Sequence, residues 1–268
     1  VKGIDEFLKK LHYFEKRFQL FIDQNNDHLL VEYSELCGVI DNYSSFIINL
    51  DNKKLWDNLD LTSEIASLVE SLRHNASVCV QIMEKYRTQL LTREKEESTD
   101  YFRNIEDCIE KEFGDFQITS QSKVLLVGSG PFPITLLRIA ERTGADVFGI
   151  DIEEEAIQLG KHVVNILGSH LSIEIEKKTV GELAVIKQIS HIIFSSTVSS
   201  KYDILDQLYD VTNKDVLIAM RYGNGLKSLF NYPMQRVDES KWHIIDEVMH
   251  PQRVYDVILY QKSNEIIR

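Results

Sequence analysis

Gly128-Ser129-Gly130-Pro131 stands directly after the apolar run Val124-Leu125-Leu126-Val127. A buried strand that ends in such a loop and runs into a helix is a nucleotide-binding arrangement. Glycine lets the chain turn tightly there and lets a ligand come close to the backbone. Asp151 closes the next apolar run about twenty residues further on, with Ile152 beside it. A carboxylate at that place can accept hydrogen bonds from both ribose hydroxyls of an adenosine. A dinucleotide site would want a third glycine at position 133, for close helix packing near a pyrophosphate, but Pro133 stands there. Pro131 and Pro133 also stiffen the loop. S-Adenosylmethionine carries no phosphate and does not need the third glycine, so these residues rank it above NAD. Alone, a Gly-x-Gly after a strand is only a turn. The acid at the right distance and the C-terminal strand pair described below make it a candidate cofactor site.

Other polar residues fall just past later apolar runs. Thr179 and Val180 follow the third run, where such folds meet an adenine, and Ser195, Ser196 and Thr197 follow the fourth. Arg221 comes just past the fifth, at the carboxyl edge where ligands bind in parallel sheets. A guanidinium there can hold a substrate carboxylate through two hydrogen bonds, or equally serve an ion pair within the fold. Tyr222-Gly223-Asn224-Gly225 forms a loop beside it. The cysteines, Cys37, Cys79 and Cys108, are odd in number and fit no metal spacing, so buried packing on helices is expected. His74, His162, His170 and His250 have no partner at helical ligand spacing, and no bound metal is expected.

Two kinds of element must position these residues. None of the prolines, at 131, 133, 233 and 251, falls in the first 130 residues. A stretch without breakers favours helices. Ile4, Phe7, Leu8, Leu11, Phe14, Phe18, Phe21 and Ile22 recur at three and four, which is one helix face. Similar spacing predicts a second helix over 29–50, a long third over 65–90 and a fourth from Tyr101 to Phe113. From Lys123 onward, short continuous apolar runs alternate with helical stretches, which reads as a parallel sheet. Strands are expected at 124–127, 146–150, 171–175, 191–194 and 216–220. The runs 243–249 and 254–261 have no helix between them and read as a hairpin closing the sheet. The expected fold is therefore α/β: a class I, Rossmann-like S-adenosylmethionine domain over 119–268, preceded by an all-helical N-terminal domain over 1–118.

Charge and hydropathy bound the partners. The 268 residues carry a formal net charge of -12 and a pI near 5.2. That balance works against nucleic acid, which needs clustered Lys and Arg to replace counterions. No apolar run approaches the length that crosses a bilayer, and the first ten residues lack a signal-peptide layout, so no membrane partner and a cytoplasmic location are expected.

The run Val127-Gly128-Ser129-Gly130-Pro131-Phe132-Pro133-Ile134-Thr135 resembles the VGSGPLPLT signature of nicotianamine synthases, which ordinary methyltransferases lack. Arg221 through Pro233 is similar to that family's Arg-x-x-x-Gly-x-Arg-x-x-Leu-Tyr-x-Pro block, with Lys227 in place of the second Arg. His250-Pro251 and the strand after it resemble a further block, with Asp256 near the family's Asn. The resemblance is strong from Lys123 onward and thin before it, and within the family it is to the bacterial branch that makes opine metallophores of the staphylopine and pseudopaline type.

The resemblance implies an enzyme that transfers the 2-aminobutanoate unit of S-adenosylmethionine to the α-amine of histidine, in the D form, releasing 5′-methylthioadenosine. It also assigns roles. Glu84, in Met83-Glu84-Lys85-Tyr86, matches the catalytic carboxylate of the long helix. Tyr101 matches the first tyrosine of a Tyr-x-x-Tyr stretch, and Asn104 replaces the second. Gly128, Ser129, Gly130, Pro131, Asp151, Ile152, Val180 and Ser195 fall on the cofactor site, and Arg221, Tyr222 and Lys227 on the substrate site. S-Adenosylmethionine and histidine are the expected small-molecule partners, with a homodimer as the assembly to test. A small-molecule methyltransferase, a nicotianamine synthase proper and a non-catalytic sensor stay open as alternatives.

Overall fold

The computed structural model describes residues 2–27, 31–91, 112 and 117–263. The chain divides into two compact units. One is Val1–Ile105 with Gly223–Pro233 and His250–Tyr255; the other is Glu106–Tyr222 with Met234–Met249 and Asp256–Arg268.

The first unit is helical. α1 (Lys2–Asn26), α2 (Tyr33–Ile47), α3 (Leu50–Asp57) and α4 (Ser63–Leu91) are its described helices. Phe7, Leu11, Phe14, Phe18 and Phe21 of α1 are buried, and their alternating spacing of four and three keeps them on one face. Complete burial of such a side chain contributes about 1.5–3 kcal/mol. They meet α2 through rings: Phe14 and Phe18 lie edge-on to Tyr43 at 4.9 and 5.0 Å between centroids, and Phe7 stacks on Phe46 at 5.2 Å. The helix expected over 29–50 is α2, which ends at Ile47, and the short α3 after it was not expected. Asn49 starts α3, because its side-chain oxygen accepts from the backbone N–H of Asp51 and of Asn52 at 2.9 and 3.0 Å. The helix expected from Tyr101 to Phe113 falls outside the described residues, Glu112 excepted.

The second unit is a seven-stranded sheet in the order β3-β2-β1-β4-β5-β7-β6. Its strands are β1 (Lys123–Val127), β2 (Asp146–Ile150), β3 (Ile173–Glu176), β4 (His191–Phe194), β5 (Leu217–Tyr222), β6 (Trp242–Val248) and β7 (Asp256–Lys262). α5 (Ile134–Thr143), α6 (Glu154–Leu167) and α7 (Lys201–Val211) connect the parallel strands. All seven expected strands are present within a few residues. The first five pair in parallel, and β7 enters antiparallel between β5 and β6.

The register sets the carboxyl edge. Val127 of β1 is level with Ile150 of β2 on one side and with Phe194 of β4 on the other. The next residue of each strand, Gly128, Asp151 and Ser195, therefore emerges at one edge. Strand order reverses at β1 and β4, and open α/β sheets bind ligands at that reversal.

Candidate active site

The glycine loop is built on positive backbone angles. Gly128 has φ 81° and Gly130 φ 67°, a region where a side chain on Cβ would be strained. Space is short as well: a Cβ on Gly128 would lie 2.5 Å from Cγ2 of Val198 and 3.2 Å from Cβ of Ser195. The N–H groups of Gly128 and Ser129 both donate to the carbonyl of Ile150, at 2.9 and 3.1 Å, and the N–H of Ser195 donates to the carbonyl of Val127 at 3.0 Å. The loop is thus tied to β2, and β1 to the start of the Ser195 loop.

Asp151 locks the loop from the other strand end. Its Oδ2 accepts from the N–H of Gly130 at 3.0 Å and its Oδ1 from the N–H of Glu153 at 3.2 Å. A carboxylate has about four lone-pair positions, so acceptor capacity remains for ribose hydroxyls. Ile152, next to it, is an apolar side chain 81% exposed. Val180 is buried in the short 3₁₀ turn Val180–Glu182 after β3. Ser195 lies half-buried, with its hydroxyl 3.2 Å from that of Thr197.

These residues fit an adenosine-bearing ligand. Ser129 is buried, and its Oγ has no hydrogen-bond partner among the described residues, so the loop keeps one polar atom that the fold does not satisfy. The close helix approach that a third loop glycine would have allowed is supplied elsewhere. Gly160 of α6 lies against the loop, where a Cβ would come within 3.3 Å of the Gly130 carbonyl oxygen and 3.7 Å of the Pro133 ring. Sequence reading missed Gly160, as it missed Val198. A glycine inside a helical pattern was the available signal for the first. Val198 carried none.

The expected substrate residues are engaged by the fold. Arg221 is buried in an ion pair, its Nε donating to Oε1 of Glu112 at 2.6 Å, with a second hydrogen bond from Nη2 to Oγ1 of Thr135 at 3.3 Å. Tyr222 is buried, and its phenol donates to the carboxylate of Glu247 on β6. Burial first, and that carboxylate second, push its phenol well above the usual range, so it remains a donor. Lys227 belongs to the helical unit, where its Nζ donates to the carbonyl of His250 at 2.8 Å.

Glu84 lies in the last third of α4, half-buried. Its own carbonyl accepts from the Thr88 hydroxyl at 3.0 Å. Tyr101 and Asn104 lie outside the described residues. Among those residues no three His, Cys, Asp or Glu side chains are grouped so as to hold a metal ion, and no helix is long and apolar enough to cross a membrane. Cys79 is buried, and burial pushes its thiol up to about 12, the packing role expected of it.

Known proteins share this fold. The solved structure of MtNAS in complex with MTA and tNA superposes with a TM-score of 0.76 at 14% identity, covering 96% of this chain and 98% of that one. A mutant of MtNAS in complex with S-adenosylmethionine gives 0.73 over the same coverage at the same identity. At that identity the likeness establishes a shared fold. In sequence, the chain is 27% identical over 243 residues to a Pseudomonas aeruginosa protein named L-histidine 2-aminobutanoyltransferase, covering 88% of this chain and 92% of the relative. It is 29% identical over 209 residues to a Yersinia pestis protein of the same name, covering 77% of each. The model of the nicotianamine synthase proteins matches residues 45–266, a span that takes in the glycine loop, Asp151 and both terminal blocks. A match of that extent, on a cofactor loop of this geometry, makes this chain a member of the nicotianamine synthase family.

Proposed function

We propose that this enzyme transfers the 2-aminobutanoate unit of S-adenosylmethionine to the α-amine of histidine and releases 5′-methylthioadenosine. The observation that carries this reading is the adenosine cradle at the β1–β4 reversal, in a chain whose relatives across most of its length are named histidine aminobutanoyltransferases. S-Adenosylmethionine supplies the activated carbon and a neutral thioether as leaving group; the protein supplies position and proton handling. The nitrogen lone pair of histidine forms the new C–N bond as the C–S bond breaks, and one proton must leave the amine.

Glu84 is the group we assign to hold that amine and take its proton. A half-buried helix carboxylate can do so without the cost of a fully buried charge. Gly128, Ser129, Gly130, Pro131, Asp151, Ile152, Val180 and Ser195 bind the cofactor. Lys227, whose Nζ donates to the carbonyl of His250, keeps the substrate-binding role that the matching family block implies. Tyr222, Tyr101 and Asn104 keep the roles that the family resemblance implies. We place the enzyme in the cytoplasm, and its product is a metallophore precursor.

Mass spectrometry of the product, with each histidine enantiomer offered separately, tests the reading. We expect histidine carrying one aminobutanoate unit, together with methylthioadenosine. The enantiomer consumed fixes the stereochemistry: the relatives are named for L-histidine, and the family branch that the motifs resemble implies D-histidine. Release of S-adenosylhomocysteine would sink the proposal in favour of methyl transfer. A product of three joined aminobutanoate units would mark a nicotianamine synthase proper.

A further inference from the structure

Arg221 does more in the fold than a surface arginine could. Its guanidinium holds Glu112 and Thr135, and its own carbonyl accepts from Nζ of Lys201 at 2.8 Å. All four residues are buried: Lys201 is 0% exposed, Thr135 4%, and the side chains of Arg221 and Glu112 6% and 1%. A buried ion pair is a poor source of stability, because desolvation offsets the attraction between its charges. Its presence here has a positional reason.

Thr135 is the second residue of α5, the helix that the glycine loop runs into. Lys201 is the first residue of α7. β4 pairs with β5 only as far as Met220, so the Arg221 carbonyl lies one residue past that ladder and takes the Lys201 ammonium. One arginine therefore joins the end of β5, the heads of α5 and α7, and Glu112. On the other side of the loop, Asp151 holds the N–H of Gly130. The stretch between these two grips contains Pro131 and Pro133, whose rings fix their own backbone angles. A stretch with both ends held and a stiff middle has few conformations left.

We propose that Arg221 is a positioning residue for S-adenosylmethionine: neutralised by Glu112, it fixes the head of α5 through Thr135 and so sets the glycine loop before the cofactor arrives. The inference rests on the loop being the S-adenosylmethionine cradle. Pre-setting the loop lowers the ordering cost of binding, so its loss is read in cofactor affinity and leaves turnover at saturation nearly intact.

The test measures S-adenosylmethionine binding by calorimetry, with melting temperature and steady-state kinetics alongside. Thr135→Val removes the hydroxyl that Arg221 reaches and keeps the shape of the side chain. We expect Kd and KM for S-adenosylmethionine to rise about tenfold, the scale of a lost hydrogen bond to a charged group. Melting temperature should fall by only about 2–4 °C, the scale of one buried hydrogen bond, and kcat should stay within about twofold. Thr135→Ser should restore most of the affinity. Arg221→Lys keeps a cation for Glu112 and loses the planar fork; it should weaken binding to the same extent, and the double variant should be no weaker than either single one. Affinity unchanged in Thr135→Val, additive losses in the double variant, or a parallel fall of affinity and melting temperature that serine does not restore would each overturn the positioning role. Failure of the unmodified enzyme to bind S-adenosylmethionine would overturn the cradle reading itself, and this role with it.

Discussion

In the sheet unit the candidate cofactor residues are the next residues of strands already in register: Gly128 after Val127, Asp151 after Ile150, Ser195 after Phe194. In the helical unit the candidate residues have no such common edge. Glu84 sits on the body of α4, and Lys227 on a segment that joins this unit from far along the chain. That segment is fastened by side chains that donate to backbone carbonyls, two of them to its own and one from it to Val254. The Tyr43 phenol donates to Leu229 at 2.8 Å, Nε of Arg73 to Ser228 at 2.7 Å, and Nδ2 of Asn231 to Val254 at 2.6 Å. Parallel pairing aligns the cradle as a by-product of building the sheet. The helical unit has to fasten the segment that carries Lys227 one hydrogen bond at a time. Cofactor binding and transfer should accordingly fail separately.

Glu84→Gln should give the largest separation. It keeps the shape and removes the proton acceptor, so transfer should drop by about a hundredfold or more, while the Kd for S-adenosylmethionine, measured by calorimetry, stays within about twofold. Unchanged transfer would remove Glu84 from its assigned role. Gly128→Ala attacks the other unit. The added Cβ meets Val198 at 2.5 Å at a φ of 81°, a backbone strain of about 1–2 kcal/mol before any clash. Cofactor affinity should fall by about tenfold or more, with transfer at saturating cofactor falling less; wild-type affinity would show that the loop tolerates a side chain and is not the cradle. The smallest effect belongs to Tyr43→Phe, which strands the buried carbonyl of Leu229. Burial pushes the Tyr43 phenol up, so it is a neutral donor across the working pH range. Loss of about 1–3 kcal/mol of stability is expected, measured by denaturant unfolding, with cofactor affinity unchanged. A fall in cofactor affinity instead would blur the division between the units.

What could be read from the residues was local. Short continuous apolar runs located β1, β2, β4 and β5, because a strand buried on both faces needs continuous apolar side chains; the edge strands β3 and β6 carry charged residues and are only partly buried. The glycine and proline chemistry of 128–133 identified the loop, and the spacing to Asp151 its acidic partner. The three-and-four spacing of phenylalanines marked the core face of α1. The same reasoning carried the second helix on to Leu50 and did not see the cap at Asn49, because a cap is made by the side chain's choice of backbone partner and leaves no apolar spacing to read.

The tertiary structure decided which distant groups meet. Arg221 could have been a free carboxylate receptor by sequence, and Glu112, 109 residues away, takes its Nε. Tyr222 bordered a loop on paper, and the insertion of β7 between β5 and β6 puts its phenol on Glu247. The segments 223–233 and 250–255 follow β5 and precede β7, yet both belong with the helices of the other unit. Periodicity and turn chemistry are properties of a few consecutive residues, and the sequence by itself determined those elements and the cofactor loop. The partner of a charge or a hydroxyl depends on which segments the completed fold brings within about 3 Å, and that was decided only when sheet and helices had packed.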